Sequence, residues 1–260
     1  MRCAVVGHVE WVDSVLVDRV AAAGEIAHGD ADWSEPAGGG AVAAAQLVKL
    51  AGACTFFTAL GEDDLGRRAV ERFRELGIDS DVEWFGSTRR AFVQVDAHGE
   101  RTITTVGPKL RRRALPPMEQ FDAVFFVAGE PEALRATRRA LFVSATPREL
   151  PFLLEAGVHL DLLVGSGTDP GERYDGGLDV DLVVRTEGVR GGTANGRRYG
   201  PVTPPGPVVD TYGAGDSFAA ALTFALGRGD PLDAALALAA RAGAAVITGK
   251  GPYAAQLDTR

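Results

Sequence analysis

Apolar and polar positions follow two rhythms along this chain. Short aliphatic runs of buried-strand length recur at CAVVG (3–7), CTFFTALG (54–61), DAVFFVAG (122–129), ALFVSA (140–145), DLLVGS (161–166) and DLVVRTEG (181–188). Between several of them the spacing becomes helical. In DDLGRRAVERFRELG (63–77), Leu65, Val70, Phe73 and Leu76 share one face and Gly77 ends the helix. GGGAVAAAQLVKLAG (38–52) predicts a glycine turn leading into a small-residue helix, and EPEALRATRRA (130–140) a further helix. Strands alternating with helices predict a mainly parallel sheet covered on both faces. Residues 91–106 break the rhythm: two β-rich runs flank DAHGE, which predicts a hairpin. The pattern describes one α/β domain over 1–260 carrying a small β excursion.

Composition narrows the function classes. Of the 260 residues, 46% are hydrophobic and 24% charged, as in soluble globular proteins. The formal net charge of −8 argues against nucleic acid or an anionic membrane as partner. RRR at 111–113 is the compact basic run and predicts a solvated loop or helix end. Cys3 and Cys54 are too few for a disulfide framework or a cysteine zinc site. The start MRCAVVGHVEWVD turns acidic before any leader-like core develops, and no apolar run approaches about 18 residues. A cytoplasmic protein is expected.

The chemistry concentrates in VVDTYGAGDSFAAALTFALGRG (208–229). A glycine turn runs into a helix whose apolar face is Phe218, Ala221, Leu222, Ala225 and Leu226. Gly213, Ala214 and Gly215 present backbone N–H groups at the positive end of the helix dipole, an anion site. Asp216 in the first turn is stabilised there as a carboxylate. It can take a proton from a hydroxyl while the amides hold a phosphoryl group, a combination suited to phosphoryl transfer to an alcohol.

D-T-x-G-A-G-D from Asp210 to Asp216 resembles the C-terminal signature of the ribokinase-like (PfkB) sugar kinases. The resemblance implies a three-layer α/β/α sandwich with a mainly parallel central sheet and a small β-sheet lid. It implies Asp216 as catalytic base and Gly213, Ala214 and Gly215 as anion hole. It also places Asp210 near a monovalent-cation loop of the kind that binds K+. Other pieces follow in the family's order. Gly38 and Gly39 are similar to the paired glycines that approach the substrate; Asp13 is similar to the aspartate that binds substrate hydroxyls. Gly61, Asp63 and Gly66 match the G-x-D-x-x-G helix. Thr186, Gly188 and Gly191 resemble the T-x-G-x-x-G nucleotide loop, and Gly249 and Gly251 in GKGPY a late loop beside the nucleotide. Glu130 falls where ribokinases carry a substrate-facing glutamate, and equally suits a helix start.

The sequence departs from the family in four places. Ala43 stands where an asparagine is usual. The Gly7–Asp13 spacing is about one residue longer than in ribokinase, with Trp11 between, read here as packing under the lid. The N-x-x-E motif for magnesium is not literal: Ser166 and Asp169 occupy its ends in one register, Asp169 and Glu172 in another, and the second has the better donors. Only about 16 residues separate Asp169 from Thr186, which trims the nucleotide-side wall.

The expected activity is ATP- and Mg2+-dependent phosphorylation of a sugar-like alcohol, with Asp13, Gly38, Gly39 and Glu130 toward the acceptor and Asp169, Glu172 and Asp210 toward metals. Lid segments at about 9–35 and 84–106 would exclude water, and in relatives such lids pair between subunits, implying a homodimer. The alternatives are a nucleoside kinase on the same fold or a catalytically silent ligand-binding relative. There is no G-x-x-x-x-G-K-[ST] motif, and VVGHVEWVD lacks the G-x-G-x-x-G turn of a dinucleotide-binding oxidoreductase.

Overall fold

In a computed structural model that describes residues 1–96 and 101–259, the aliphatic runs do form strands. In chain order these are β1 (Cys3–Val6), β4 (Cys54–Leu60), β8 (Ala123–Phe126), β9 (Phe142–Ala145), β10 (Leu160–Ser166) and β11 (Val180–Thr186). With β5 (Asp79–Trp84), they make seven parallel strands in the order β11-β10-β9-β8-β1-β4-β5. A short antiparallel pair, β12 (Gly192–Ala194) and β13 (Arg197–Tyr199), extends one edge. The hydrophobic pattern did not single out β5, β12 or β13: four of the six residues of DSDVEW are polar, and the other two strands have three residues each.

Alternation along the strands divides the core. Val5, Phe56, Phe125 and Leu162 point to one face, where they pack with α1 (Gly39–Ala51), α2 (Asp64–Glu75), α5 (Ala214–Gly227) and α6 (Leu232–Val246). Ala4, Val6, Phe57, Phe126 and Leu163 point to the other, against α3 (Pro131–Thr137) and α4 (Leu150–Ala156). The result is the three-layer sandwich. Its second helical layer is thin, because the β10–β11 crossover holds only a three-residue 3-10 turn, Pro170–Glu172.

The remaining strands form a separate sheet in the order β3-β2-β6-β7, from β2 (Glu10–Val17), β3 (Gly29–Ala37), β6 (Arg90–Val95) and β7 (Arg101–Val106). β6 and β7 pair antiparallel as the hairpin pattern predicts; most of its turn, 97–100, lies outside the described residues. The small sheet is pinned to the main body near the carboxyl ends of the parallel strands. Trp33 Nε1 donates to Asp210 (3.0 Å), Arg72 to Glu35 (2.9 Å), and Tyr253 to the Pro36 carbonyl (2.6 Å). Lys250 pairs with Asp32 at 2.6 Å.

RRR at 111–113 is a loop, as the sequence predicts, but Arg111 and Arg112 are largely covered rather than solvated. On this extended stretch successive side chains diverge and each meets a carboxylate. Arg111 pairs with Glu149, Arg112 with Asp81, and Arg113 with Glu83, while Arg112 and Arg113 lie over the rings of Phe57 and Phe85. The side chain of Arg112 is only 11% exposed. Charge density alone did not reveal these partners, which come from distant segments.

Candidate active site

The carboxyl ends of β1, β8, β9, β10 and β11 converge with the N-termini of α1 and α5, the place where open α/β sheets bind ligands. Helix α5 starts from Gly213 at φ 83°, a left-handed conformation suited to glycine. A Cβ there would lie 2.9 Å from Val42. One added to Gly215 would meet nothing within 4 Å, so the turn opens onto free space beside the first amides of α5.

Asp216, half-buried, points from this turn toward α1. A Cβ on Gly39 would stand 2.7 Å from its Oδ1 and 3.0 Å from Val127, so any side chain there would push the Asp216 carboxyl aside. Burial, then the charge of Glu172, pushes the Asp216 carboxyl up to about 6, with Arg101 and Arg148 pulling the other way. Desolvation thus makes Asp216 a weaker acid than an ordinary aspartate, where the sequence predicts a stabilised carboxylate. Among the described residues it forms no ion pair. A carboxyl poised near neutrality at the start of α5, where Ala214 N reaches the Thr211 carbonyl only at 3.5 Å, can accept a proton from a bound hydroxyl.

The glycine pair at 38–39 forms the facing wall. Gly38 takes φ 90° and gives its N–H to the Tyr212 hydroxyl (3.2 Å), while the His8 ring lies 3.3 Å from where its Cβ would stand. Asp210 is a clasp. It accepts from Tyr212 N (2.9 Å), from Gly251 N (3.1 Å) and from Trp33 of the small sheet (3.0 Å), and Trp33 meets the Tyr212 ring edge-on. Three N–H donors thus surround the residue that sequence similarity sets beside a monovalent cation.

DPGE folds around a guanidinium. Arg148 Nη2 lies 2.5 Å from Asp169 and 2.9 Å from Glu172, and Glu172 also accepts from Ser166 N at 2.6 Å. The charge of Glu172 reaches Asp216, so this turn borders the same site. The hard oxygens of Asp169, Glu172 and Ser166 suit magnesium, with Arg148 already balancing part of their charge. Thr186 ends β11; Gly188 (φ 56°) and Gly191 (φ 81°) flank a 3-10 turn, and a Cβ on Gly191 would collide with the Tyr199 carbonyl at 2.2 Å. Gly249 closes α6 through the Val246 carbonyl, and Gly251 lies beneath Trp33 and Glu35.

Two acceptor-side candidates, Asp13 and Glu130, lie in β2 and at the start of α3. In β2, Asp13 shares the face of Trp11, not that of Glu10, Val12 and Ser14. Its carboxylate takes Ser34 Oγ (2.6 Å) and Arg90 (2.8 Å), and these bonds hold it below its ordinary range although burial alone would raise it. Trp11 is packed: it is 5% exposed, with the Arg68 guanidinium 4.2 Å from its ring. Glu130 caps α3 without a side-chain hydrogen bond. Sequence reasoning missed Glu10, Arg101 and Arg148. Glu10 is raised by burial against the pull of Arg89 and Lys109, and its charge also acts on Tyr212 and Asp216. None of the three sits in a motif; Glu10, three residues after the glycine that ends β1, was the available signal.

The sequence profile of the pfkB family carbohydrate kinases matches residues 2–134 and 177–260. The chain belongs to that family. As a PfkB kinase it is a phosphotransferase with a hydroxyl acceptor. The break in the match, 135–176, contains Arg148, Asp169 and Glu172. The kinase is 28% identical to the aminoimidazole riboside kinase of Salmonella typhimurium over 86% of this chain and 87% of that protein. Its fold superposes on the Methanocaldococcus jannaschii nucleoside kinase with TM-score 0.80 at 19% identity, covering 99% of this chain and 95% of that one. Arabidopsis thaliana ribokinase, solved with ribose and ATP, gives TM-score 0.78 at 23% identity, covering 98% and 95%.

Proposed function

We propose that this PfkB kinase transfers the γ-phosphoryl group of ATP to a hydroxyl of a sugar or nucleoside, with Asp216 as general base. The observation that carries the reading is the Asp216 carboxyl, raised to about 6 and lying against Gly39 at the open start of α5. In this reading the acceptor hydroxyl lies within hydrogen-bond reach of Asp216, which takes its proton as the oxygen attacks. The amides at Gly213, Ala214 and Gly215 stabilise charge on the transferred group, and the Gly38–Gly39 backbone leaves room for the acceptor. Glu10 serves the acceptor from the active-site face of the small sheet; Asp13, on the other face, maintains that sheet through Ser34 and Arg90.

Magnesium would be held by Asp169 and Glu172 and would neutralise phosphate charge. Thr186, Gly188, Gly191 and the 249–251 turn border the nucleotide in this reading. Asp210 acts as a clasp, and no step requires K+ or another monovalent cation. The small sheet serves as the lid. Its edge strand β7 leaves Ile103 and Val106 about half exposed (48% and 53%), which supports pairing of lids in a homodimer. Two buried free cysteines fit a cytoplasmic setting, and no helix among the described residues is long and apolar enough to cross a membrane.

ADP release in the presence of Mg2+ and ATP, screened over sugars and nucleosides, tests the proposal. Acceptor-dependent release supports it. Ligand-induced thermal stabilisation with no ADP release from any acceptor would instead assign a silent binding protein.

A further inference from the structure

Both edges of the small sheet converge on one ring. In the order β3-β2-β6-β7, Trp33 belongs to one edge strand and Arg101 to the other. Neighbouring strands lie about 4.8 Å apart, so on a flat sheet these edges would stand roughly 14 Å from each other. Yet both side chains reach Tyr212. The Trp33 ring meets it edge-on with centroids 5.2 Å apart, and the Arg101 guanidinium carbon stands 5.6 Å from its centroid. The sheet therefore cups the space over the loop that starts α5, and the Arg101 side chain extends across that space. Register agrees. Arg101 pairs with Val95, which packs against the main core together with Ala91 and Val93. Paired residues share a face, so Arg101 lies on the face turned toward the body.

Arg101 is exposed, and among the described residues its guanidinium meets no carboxylate. A ring contact at an exposed position barely offsets the rotamer freedom that an ordered arginine gives up. Stacked in this way, the guanidinium keeps its N–H donors free for another partner. The neighbouring cations are engaged: Arg148 with Asp169 and Glu172, Arg89 with Glu10 at 3.4 Å, and Lys250 with Asp32. Tyr212 directly precedes Gly213, and its hydroxyl accepts from Gly38 N at 3.2 Å. The guanidinium thus stands over the wall that joins the two glycine turns. Its charge also acts on Tyr212 and Asp216.

We propose that Arg101 is a catalytic residue, carried by the small sheet, that donates hydrogen bonds to the phosphoryl group in transit between ATP and the acceptor. As the acceptor oxygen bonds to the γ-phosphorus, the bond to the bridging oxygen of ADP breaks and the hydroxyl proton passes to Asp216. Negative charge on the outer phosphoryl oxygens is met from one side by the amides of Gly213, Ala214 and Gly215, and from the other by Arg101. When the sheet swings away this cation leaves with it, which slows transfer to water before an acceptor is enclosed. The inference rests on the kinase reading of the same site.

Arg101→Met removes the charge and the donors, and Arg101→Lys keeps the charge without the planar fork. With Mg2+-ATP and an accepted sugar or nucleoside, Arg101→Met should lower kcat at least about a hundredfold. Its KM values for ATP and acceptor should stay within about threefold of the parent, and Arg101→Lys should recover part of the loss. A kcat within about tenfold of the parent, or a loss confined to KM, would overturn the inference and leave the kinase reading intact. A second readout needs no turnover. Mg2+-ADP with aluminium fluoride, which imitates a planar phosphoryl group, should raise the parent's melting temperature beyond Mg2+-ADP alone. Arg101→Met should lose that increment while Mg2+-ADP alone shifts both proteins equally. An increment equal in both, or none in the parent, would overturn the inference. If no compound makes the parent release ADP, the kinase reading fails and the aluminium fluoride comparison decides the inference by itself. Arg101→Lys takes the place of Arg101→Met in both measurements should the latter not fold, with an intermediate loss expected and parent-like values overturning the inference.

Discussion

Asp216 joins chemistry to stability at a single residue. Its folded-state carboxyl titrates near 6, above the ordinary 3.8, because burial and Glu172 oppose its ionisation. The folded protein thus holds this proton more tightly than the unfolded chain does. The associated stability is complete below the unfolded value and is lost as pH rises through about 6. At neutral pH the ionised form costs up to about 3 kcal/mol, from roughly two pKa units at about 1.4 kcal/mol each. Asp216→Asn should therefore lower kcat by at least about a thousandfold and at the same time raise the melting temperature at pH 7.5 by several degrees, with little gain at pH 4. A variant no more stable than the parent at pH 7.5 would contradict the assigned burial. In the parent, kcat/KM should climb with pH through about 6 and then level. Gly39→Ala tests the same contact from across the cleft: its Cβ would press on Oδ1 from 2.7 Å, so turnover should fall at least tenfold with far-ultraviolet circular dichroism preserved.

At the scale of elements, two of the motifs are held in place by different means. G-x-D-x-x-G is a knot. Asp63 caps α2 through Gly66 N (2.9 Å) and also accepts from Thr88 N and Thr88 Oγ1, both at 2.7 Å, at the root of β6. A Cβ on Gly61 would lie 2.1 Å from Thr88 N, and one on Gly66 2.2 Å from the Gly61 carbonyl, so both glycines are required by packing. Asp63→Ala loses the cap and strands the Thr88 N–H, at about 2–4 kcal/mol. Thermal denaturation should place it about 5–10 °C below the parent. The DPGE turn rests on an ion-pair cluster instead. Its acids are held by Arg148, which lies outside any recognisable motif, and Glu172→Gln should shift the magnesium dependence of the rate to higher concentration. Superimposable magnesium titrations would remove Glu172 from that role.

Across the whole molecule, legibility followed sequence distance. The parallel strands, α1, α2 and the α5 turn could be read because each is specified within ten to fifteen residues by alternation, helical spacing or glycine. Asp216 and Gly39 could be named for the same reason, although the lack of room for a Cβ between them could not. Arg148, Arg101 and Glu10 were illegible because their significance depends on segments brought together by the fold. Asp13 lies on the face of β2 opposite Glu10, a placement set by strand alternation that a motif match does not reveal. The most consequential long-range link is Trp33 to Asp210, across 177 positions, because it fastens the small sheet to the loop that starts α5. If that sheet is the lid, the bond makes closure and assembly of the anion hole one event, which keeps water from the phosphoryl group when no acceptor is present. Trp33→Phe keeps the ring against Tyr212 but removes the N–H donor. It should raise the acceptor KM several-fold and increase ADP release without acceptor, while saturating acceptor keeps kcat within about twofold. Unchanged acceptor-free release together with an unchanged acceptor KM would mean that the small sheet and the α5 turn act independently.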